Sequence, residues 1–262
     1  MESTTGKSTS VAKAFELIDV IAQSGTDGVG LRELASRMRV AVSTAHRYAT
    51  TLLELGVVVR DGAGVYRLGV RLVQLASQYL HEDLFRQIAH PYLMELAEIS
   101  GETAHLGVRL GDRVVYVDKV ESEQSVRLVS RIGKQVPPLH CTAMGKALLS
   151  LMPRSEQEAL LTGDLVRPTE KTHVGDALYA ELELVRMQGY ALDDEENELG
   201  VRCIGVPIVN ATGEAVGAFS VSAPATRISA DDWREFSPTA LRIAREIGRS
   251  LGRTGSARTA AV

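Results

Sequence analysis

The sequence predicts an α+β chain in two parts: a small helical unit that closes on a strand pair, then a larger unit built on a largely antiparallel sheet. Three observations predict it. Apolar side chains recur at three- and four-residue spacing through residues 11–53, which is a helical period. Residues 57–60 and 65–68 are β-prone runs on either side of Asp61-Gly62-Ala63-Gly64, a hairpin signal. Beyond residue 84, strand-like runs joined by short turns have helical patterns gathered between and after them.

Residues 1–9 are small and polar and read as a disordered tail. Ser10 is the candidate N-cap of a first helix carrying Val11, Ala14, Phe15, Ile18, Ile21 and Ala22, and residues 25–30 are a break. Leu31, Leu34, Ala35 and Met38 then form one face of a short helix. In the next helix Val42, Ala45, Ala49, Leu52 and Leu53 face one way and Ser43, Thr44, Arg47, Thr50 and Thr51 the other. Ser43 is its expected N-cap and Gly56 its stop.

Helix, tight turn, helix and strand pair together describe a winged helix-turn-helix, which places its second helix in the major groove of DNA. The outer face suits that task. Hydroxyls bond phosphates or base edges, and a guanidinium spans guanine O6 and N7. Arg32, Arg37, Arg39 and Arg47 against a lone Glu33 give the window local positive charge. The candidate DNA contacts are Arg32, Ser43, Thr44, His46, Arg47, Thr50 and Thr51, with Arg60 on the wing. Residues 10–70 form this domain, and 71–83 a linker helix with Leu72, Leu75, Ala76, Tyr79 and Leu80 on one side.

The second domain spans 84–252. A helix is expected over 91–100, stopped at Gly101, then strands over 103–108, 113–120 and 126–129. Helical patterns cover 143–151, 155–161 and 176–188, the last ended by Gly189. Strands follow over 190–192, 203–209 and 215–222, the last two joined by a turn containing Gly213. A final helix over 230–251 turns Trp233, Phe236, Ala240, Ala244, Ile247 and Leu251 inward, and 253–262 read as a loose tail.

Composition excludes several classes. A chain of 262 residues, 45% hydrophobic and 24% charged, has ample core for two domains. Its net charge of −4 rules out a polycation, so basic character must be local; the acidic surplus lies at residues 181–198. Two cysteines give no disulfide framework. No apolar run approaches the ~18–20 residues that cross a bilayer, and the N-terminus has no secretory core, so a cytoplasmic protein with no membrane partner is expected.

Catalytic readings fare poorly. His140-Cys141 suggests a thiol and base, but neighbours in an extended segment point to opposite faces, and no third residue orients them. AMGKA fails as a phosphate loop, with His140 where Gly is required and Ala147 in place of Ser or Thr. Ser220 and Ser222 lack a nucleophile elbow. His81, Glu82, Asp83 and His90 read as a solvated charged stretch rather than a metal site. No enzyme activity, cofactor or metal is expected. A binding pocket accounts better for the pattern, since alternation places Ser220 and Ser222 on one strand face, and Ala143-Met144-Gly145-Lys146 opens a helix whose free amides attract anions.

The chain resembles an IclR-type transcriptional regulator over nearly its whole length. The match runs through LRELASRMRVAVSTAHRYATTLLELG, YRLG, PLHCTAMGKALLS, GYALDDEENELGVRCIGVPI and GAFSVSAPATRIS, in the family's order. The resemblance implies a GAF-like effector-binding domain, and self-association through the first helix and the linker. It marks Ala143 and Met144 as the helix-start loop of a pocket, Asp193 as its acidic position, Cys203 as the position before the strand, Ser220 and Ser222 as its paired serines and Leu128 as an apolar wall. Small carboxylic acids, aliphatic or aromatic, are the implied effectors, and a palindromic double-stranded operator the implied partner, with repression favoured over activation. Small-acid members carry Gly-Ala where this chain has Ala143-Met144, and a polarizable Met favours an aromatic acid. Asp193 would repel an anion unless it takes a proton or bonds a ligand hydroxyl. The competing expectation is a sensor or scaffold whose helix-turn-helix serves subunit contacts instead of DNA.

Overall fold

The computed structural model describes residues 9–82, 84–133 and 138–259, and the chain divides into two compact units, residues 1–83 and 84–262. In the first, α1 (Thr9–Gln23) leads through a 3-10 turn (Gly25–Asp27) and a short strand β1 (Val29–Gly30) into α2 (Leu31–Arg37) and α3 (Val42–Glu54). Strands β2 (Val58–Arg60) and β3 (Val65–Leu68) follow, then α4 (Val70–Glu82). The three strands form an antiparallel sheet in the order β1-β3-β2. Asp61 shapes the hairpin turn: its Oδ1 accepts from the amides of Ala63 and Val65 while Arg67 pairs with its other oxygen.

The core of this unit joins Leu17 and Ile21 of α1, Leu34 of α2 and Met38 at its C-cap, Ala49 and Leu52 of α3, and Val58 and Tyr66 of the wing. Several expectations are corrected. Ser10 lies inside α1, which already runs at Thr9; the tail residues 1–8 fall outside the described residues. Residues 25–30 contain a strand, too short at two residues to show a period. Ala41, in extended geometry, takes the N-cap position of α3 and Ser43 falls in its first turn. The turn before it tightens through Arg39 at φ 53°, a left-handed conformation rare outside glycine, so the helix begins earlier. Val42 then faces outward, 47% exposed. The predicted inward positions Tyr79 and Leu80 lie outside the described side chains.

The second unit begins with α5 (Leu84–Ser100), then β4 (Thr103–Leu110) and β5 (Arg113–Val120). A long loop and a 3-10 turn (Leu139–Cys141) lead to α6 (Ala143–Leu149), α7 (Arg154–Leu160) and α8 (Gly175–Gln188). Then come β6 (Ala191–Asp194), β7 (Val201–Val209), β8 (Ala215–Pro224) and α9 (Ala230–Thr259). The five strands are antiparallel throughout, in the order β5-β4-β8-β7-β6.

Strand alternation gives this sheet two unlike faces. One carries Ala104, Leu106, Ile204, Val206, Ile208, Phe219, Val221 and Ala223, all buried against Leu93 and Leu96 of α5 and Trp233, Ile243 and Ile247 of α9. The other carries Thr103 and His105, Cys203 and Gly205, Ser220 and Ser222, and Asp193, and α6 packs on it.

Three predicted elements differ here. Residues 126–129 form no strand; Val126 and Val129 are 68% and 84% exposed in a loop that pairs with nothing in the sheet. Pro91 does not start a helix. It sits within α5, which extends back to Leu84 because Ala89, Leu93 and Leu96 bury on either side of it. The backbone of the expected loose tail is helical to Thr259, and residues 260–262 lie outside the described residues.

What holds α6 to the sheet is closeness. A Cβ on Gly205 would lie 2.4 Å from the carbonyl carbon of Ala143, and one on Gly145 would lie 2.2 Å from the carbonyl oxygen of Leu139. No side chain fits at either position. Gly205→Ala should therefore force α6 off β7 and destabilise the unit by about 1–3 kcal/mol, measured as a lower urea midpoint; an unchanged midpoint would contradict this contact.

Candidate functional site

The outer face of α3 is open to solvent. Ser43, His46, Arg47 and Thr51 are exposed, Thr44 and Thr50 half-buried, and Arg32 at the start of α2 and Arg60 on the wing are exposed. Thr50 and Thr51 donate their hydroxyl hydrogens back to the carbonyls of His46 and Arg47, at 2.9 and 3.2 Å. Two of these guanidinium groups are supported by an aromatic ring: that of Arg47 lies 5.5 Å from Tyr48, and that of Arg60 lies 5.5 Å from Tyr66. Arg37 is committed elsewhere, donating to Ser24 and Gln23. Arg39, in its strained turn, remains exposed.

In the second unit the polar sheet face lies buried beneath α6, and this layer is the candidate chamber. Register places Asp193, Cys203, Ser222 and Thr103 in one row across four strands, and Gly205, Ser220, His105 and Lys119 in the next. Asp193, Ser220, Ser222 and His105 are each no more than 5% exposed. The Cys203 thiol is hydrogen-bonded with Ser222. Ala143 and Met144 form the roof with Leu139 and Leu148, and the Met144 amide stands over Gly205 beside Ser220. The expectation of freely offered amides at this helix start needs correction. Helix α6 is seven residues long, and Thr142 Oγ1 already accepts from the Gly145 amide at 3.1 Å.

Leu128 is half-buried within the loop over 121–133. That loop is tied down at several points. Ser130 Oγ bonds His105 Nε2 at 2.8 Å, its carbonyl accepts from Lys119 at 2.6 Å, and the Val126 carbonyl accepts from Arg227 at 3.0 Å.

Burial dominates the electrostatics of the chamber. The Asp193 carboxyl is pushed up to about 7 by burial and by Glu196 beside it, even though it accepts from the Glu196 and Asn197 amides. The Cys203 thiol and the Tyr116 phenol are pushed up as well, each chiefly by burial. The His105 imidazole is pushed down to about 4 by burial and by Lys119, so it is neutral at ordinary pH.

Sequence reasoning missed four residues. His105 and Tyr116, stacked with centroids 4.5 Å apart, sit in strands read only for their period. Lys146 is completely buried on α6 and pairs with Glu196 and, at 3.4 Å, with Glu181; His173 Nδ1 approaches Glu196 at 3.0 Å. The signal was present, a lone lysine inside AMGKALL, while Glu196 was hidden in a run read as surface charge.

The rejected chemistries also find their places. Residues 139–141 form a 3-10 turn rather than an extended segment, so the alternation argument does not apply; His140 Nε2 instead bonds the Val166 carbonyl at 2.8 Å. The Cys141 thiol bonds the Pro138 carbonyl and is pushed up to about 12, chiefly by burial, so it stays protonated. His90 pairs with Asp118, and the side chains of His81, Glu82 and Asp83 lie outside the described residues. Among the described residues no three His, Cys, Asp or Glu side chains converge as a metal site, and no helix is long and apolar enough to cross a membrane.

Comparison with known proteins adds to this geometry. Residues 10–62 match the model of the IclR helix-turn-helix domain, and residues 77–249 that of the bacterial transcriptional regulator IclR C-terminal domain. The chain is 35% identical over 247 residues to the HTH-type transcriptional regulator KdgR of Dickeya chrysanthemi, covering 93% of this chain and 80% of that one. It is 32% identical over 253 residues to the transcriptional repressor IclR of Escherichia coli (strain K12), covering 95% and 92%. The crystal structure of the Thermotoga maritima IclR superposes with a TM-score of 0.71 at 38% identity, covering 92% of this chain and 98% of that one.

The two shifted groups pull stability in opposite directions with pH. Asp193 binds a proton more tightly folded than unfolded. Its contribution is complete below the ordinary carboxylate range and is lost as pH rises through about 7. His105 binds its proton less tightly when folded, so its contribution is complete above the ordinary imidazole range and is lost as pH falls through about 4. Asp193→Asn should leave only the second trend, with urea midpoints rising with pH from about 4 to about 6.5 and no Asp193-linked fall toward about 7. Parallel profiles for the variant and the parent would refute the assignment.

Proposed function

The chain belongs to the IclR family of bacterial transcriptional regulators, with a helix-turn-helix DNA-binding domain and a ligand-binding C-terminal domain; on that premise we propose that it is a cytoplasmic repressor of a two-fold operator, controlled by a small carboxylic acid held over β7 and β8. The observation that carries the ligand reading is the chamber itself. Asp193, Ser220 and Ser222 are buried together on one sheet face beside the half-buried Cys203, while the opposite face carries the apolar core. Burying polar groups is costly unless they are bonded, and a carboxylate that accepts from two hydroxyls uses them.

The acidic residue does not oppose this reading. With its carboxyl pushed up to about 7, Asp193 carries a proton for much of the time at neutral pH and offers it to an anion. The roof of Met144, Leu139 and Leu148, with Tyr116 packed against it, is shaped for apolar contact, which favours an aromatic acid over a two-carbon one. The chamber binds without turning its ligand over. Its thiol is held protonated, and no nucleophile, base and orienting group stand in sequence.

For DNA, α3 enters the major groove with Arg47 and Ser43 reaching base edges, and Arg32 and Arg60 reach the flanking phosphates. Self-association supplies the second half-site. Val11 and Phe15 of α1 and Val70 and Val73 of α4 are 57–69% exposed, an apolar surface suited to a second copy. Ligand shifts the separation of the paired helices by its differential affinity for two arrangements, typically ~1–3 kcal/mol of coupling.

Arg47→Ala should weaken operator binding by about 1–3 kcal/mol with an unchanged Tm, because the side chain lies outside the core. Undiminished affinity in a mobility-shift assay at matched salt would remove Arg47 from the reader. The double variant Ser220→Ala with Ser222→Ala should keep operator affinity and lose the response to carboxylic acids; a full response would place the ligand elsewhere.

A further inference from the structure

The chamber holds one group that neither the carboxylate end nor the fold explains. His105 is 2% exposed, and its Nδ1 is buried with no hydrogen-bond partner among the described residues. The ring has no freedom to swing that atom toward water. Its Nε2 is held by Ser130 Oγ at 2.8 Å, and its face is stacked on Tyr116. The backbone of β4 fixes it further, pairing His105 with Ser220 on one side and Lys119 on the other.

A buried, unbonded ring nitrogen costs about as much as a lost hydrogen bond. Elsewhere in this unit Lys146 bonds Glu196, Gln157 the Leu149 carbonyl and Thr172 the Glu196 carbonyl, while the Trp233 indole nitrogen, also buried without a partner among the described residues, lies in the apolar core on the other side of the sheet. His105 is placed differently, on the same sheet face as Ser220, Ser222 and Cys203 and directly beside Ser220.

We propose that His105 is a specificity residue whose Nδ1 bonds a hydroxyl group of the effector, diagonally across the sheet face from Ser222. The inference rests on the reading of Ser220 and Ser222 as the carboxylate end. The sheet sets the span. Strand spacing of about 4.8 Å and a rise of about 3.4 Å per residue put the Cα atoms of His105 and Ser222 about 8 Å apart, the span of one ring or a short chain. A hydroxyl is the group that fits because it both donates and accepts. If Nε2 carries the proton toward Ser130, Nδ1 accepts from the hydroxyl; if Ser130 donates instead, Nδ1 carries the proton and donates to it.

The ligand class is therefore a hydroxy-substituted carboxylic acid, and binding it also steadies the 121–133 loop, because the same imidazole holds Ser130. An acid of the same skeleton without the hydroxyl leaves Nδ1 unbonded and is discriminated against.

Calorimetric titration of the full chain with two matched pairs tests this: 4-hydroxybenzoate against benzoate, and 4-hydroxybutyrate against butyrate. In the pair that fits the chamber, the hydroxylated acid should bind about ten-fold tighter, the effect of one buried hydrogen bond. In His105→Leu the preference should fall to within about two-fold while the bare acid keeps its affinity, and His105→Gln should recover part of the preference. Ring-nitrogen NMR of the unaltered protein gives an independent reading, with the His105 signals assigned as those lost in His105→Gln. These signals should move with the hydroxylated acid alone. Equal affinities within both pairs, or a preference undiminished in His105→Leu, would overturn the proposal while leaving the carboxylate end standing. Failure of all four acids to bind, or binding indifferent to Ser220→Ala with Ser222→Ala, would overturn the carboxylate end and this inference with it.

Discussion

The second unit depends on how closely α6 lies on β7. Gly205 and Gly145 let the helix backbone settle against strand and 3-10 turn at distances no side chain permits. That approach brings Ala143 and Met144 down over Ser220 and closes the polar sheet face from water. Without it the serines, Cys203 and Asp193 would line an open surface, and the burial that shifts their proton affinities would be absent.

The same approach carries Lys146 into the interior. A buried ammonium is sustained only by partners: Glu196 and Glu181 pair with Lys146, and His173 in turn pairs with Glu196, the three drawn from separate stretches of chain. Ion pairs of this kind add little net stability, because desolvation offsets attraction, yet removing one member strands the others. The network therefore acts as a registration device. It fixes α6, α8 and the segment after β6 in one arrangement, and Asp193 is coupled to it through the Glu196 amide.

The sequence made the architecture legible wherever a period ran long enough. Helices α1, α2 and α3 and strands β7 and β8 follow from spacing alone, because each has one buried face. Boundaries went astray where a local rule met a stronger tertiary one. Pro91 signals a helix start, but buried neighbours on both sides carry α5 through it. Val126 and Val129 read as strand, yet no sheet edge receives them. In the chamber, the paired serines were visible from alternation, while Asp193, Cys203 and Met144 came from family resemblance. His105 and Tyr116 were not visible, since nothing in a single sequence tells which strand faces a given helix, while Lys146 stood out in AMGKALL without its partners.

The threonines of α3 have a consequence for what that helix can recognise. Thr50 and Thr51 direct their hydroxyl hydrogens inward, to the carbonyls of their own helix. What remains outward is lone pairs. Toward a base edge they therefore act as acceptors, matched to the exocyclic amino groups of adenine and cytosine, whereas Arg47 next to them brings only hydrogens, matched to guanine and to thymine O4. In the proposed reading of α3 the surface thus divides its vocabulary by side chain, acceptors on the threonines and donors on Arg47.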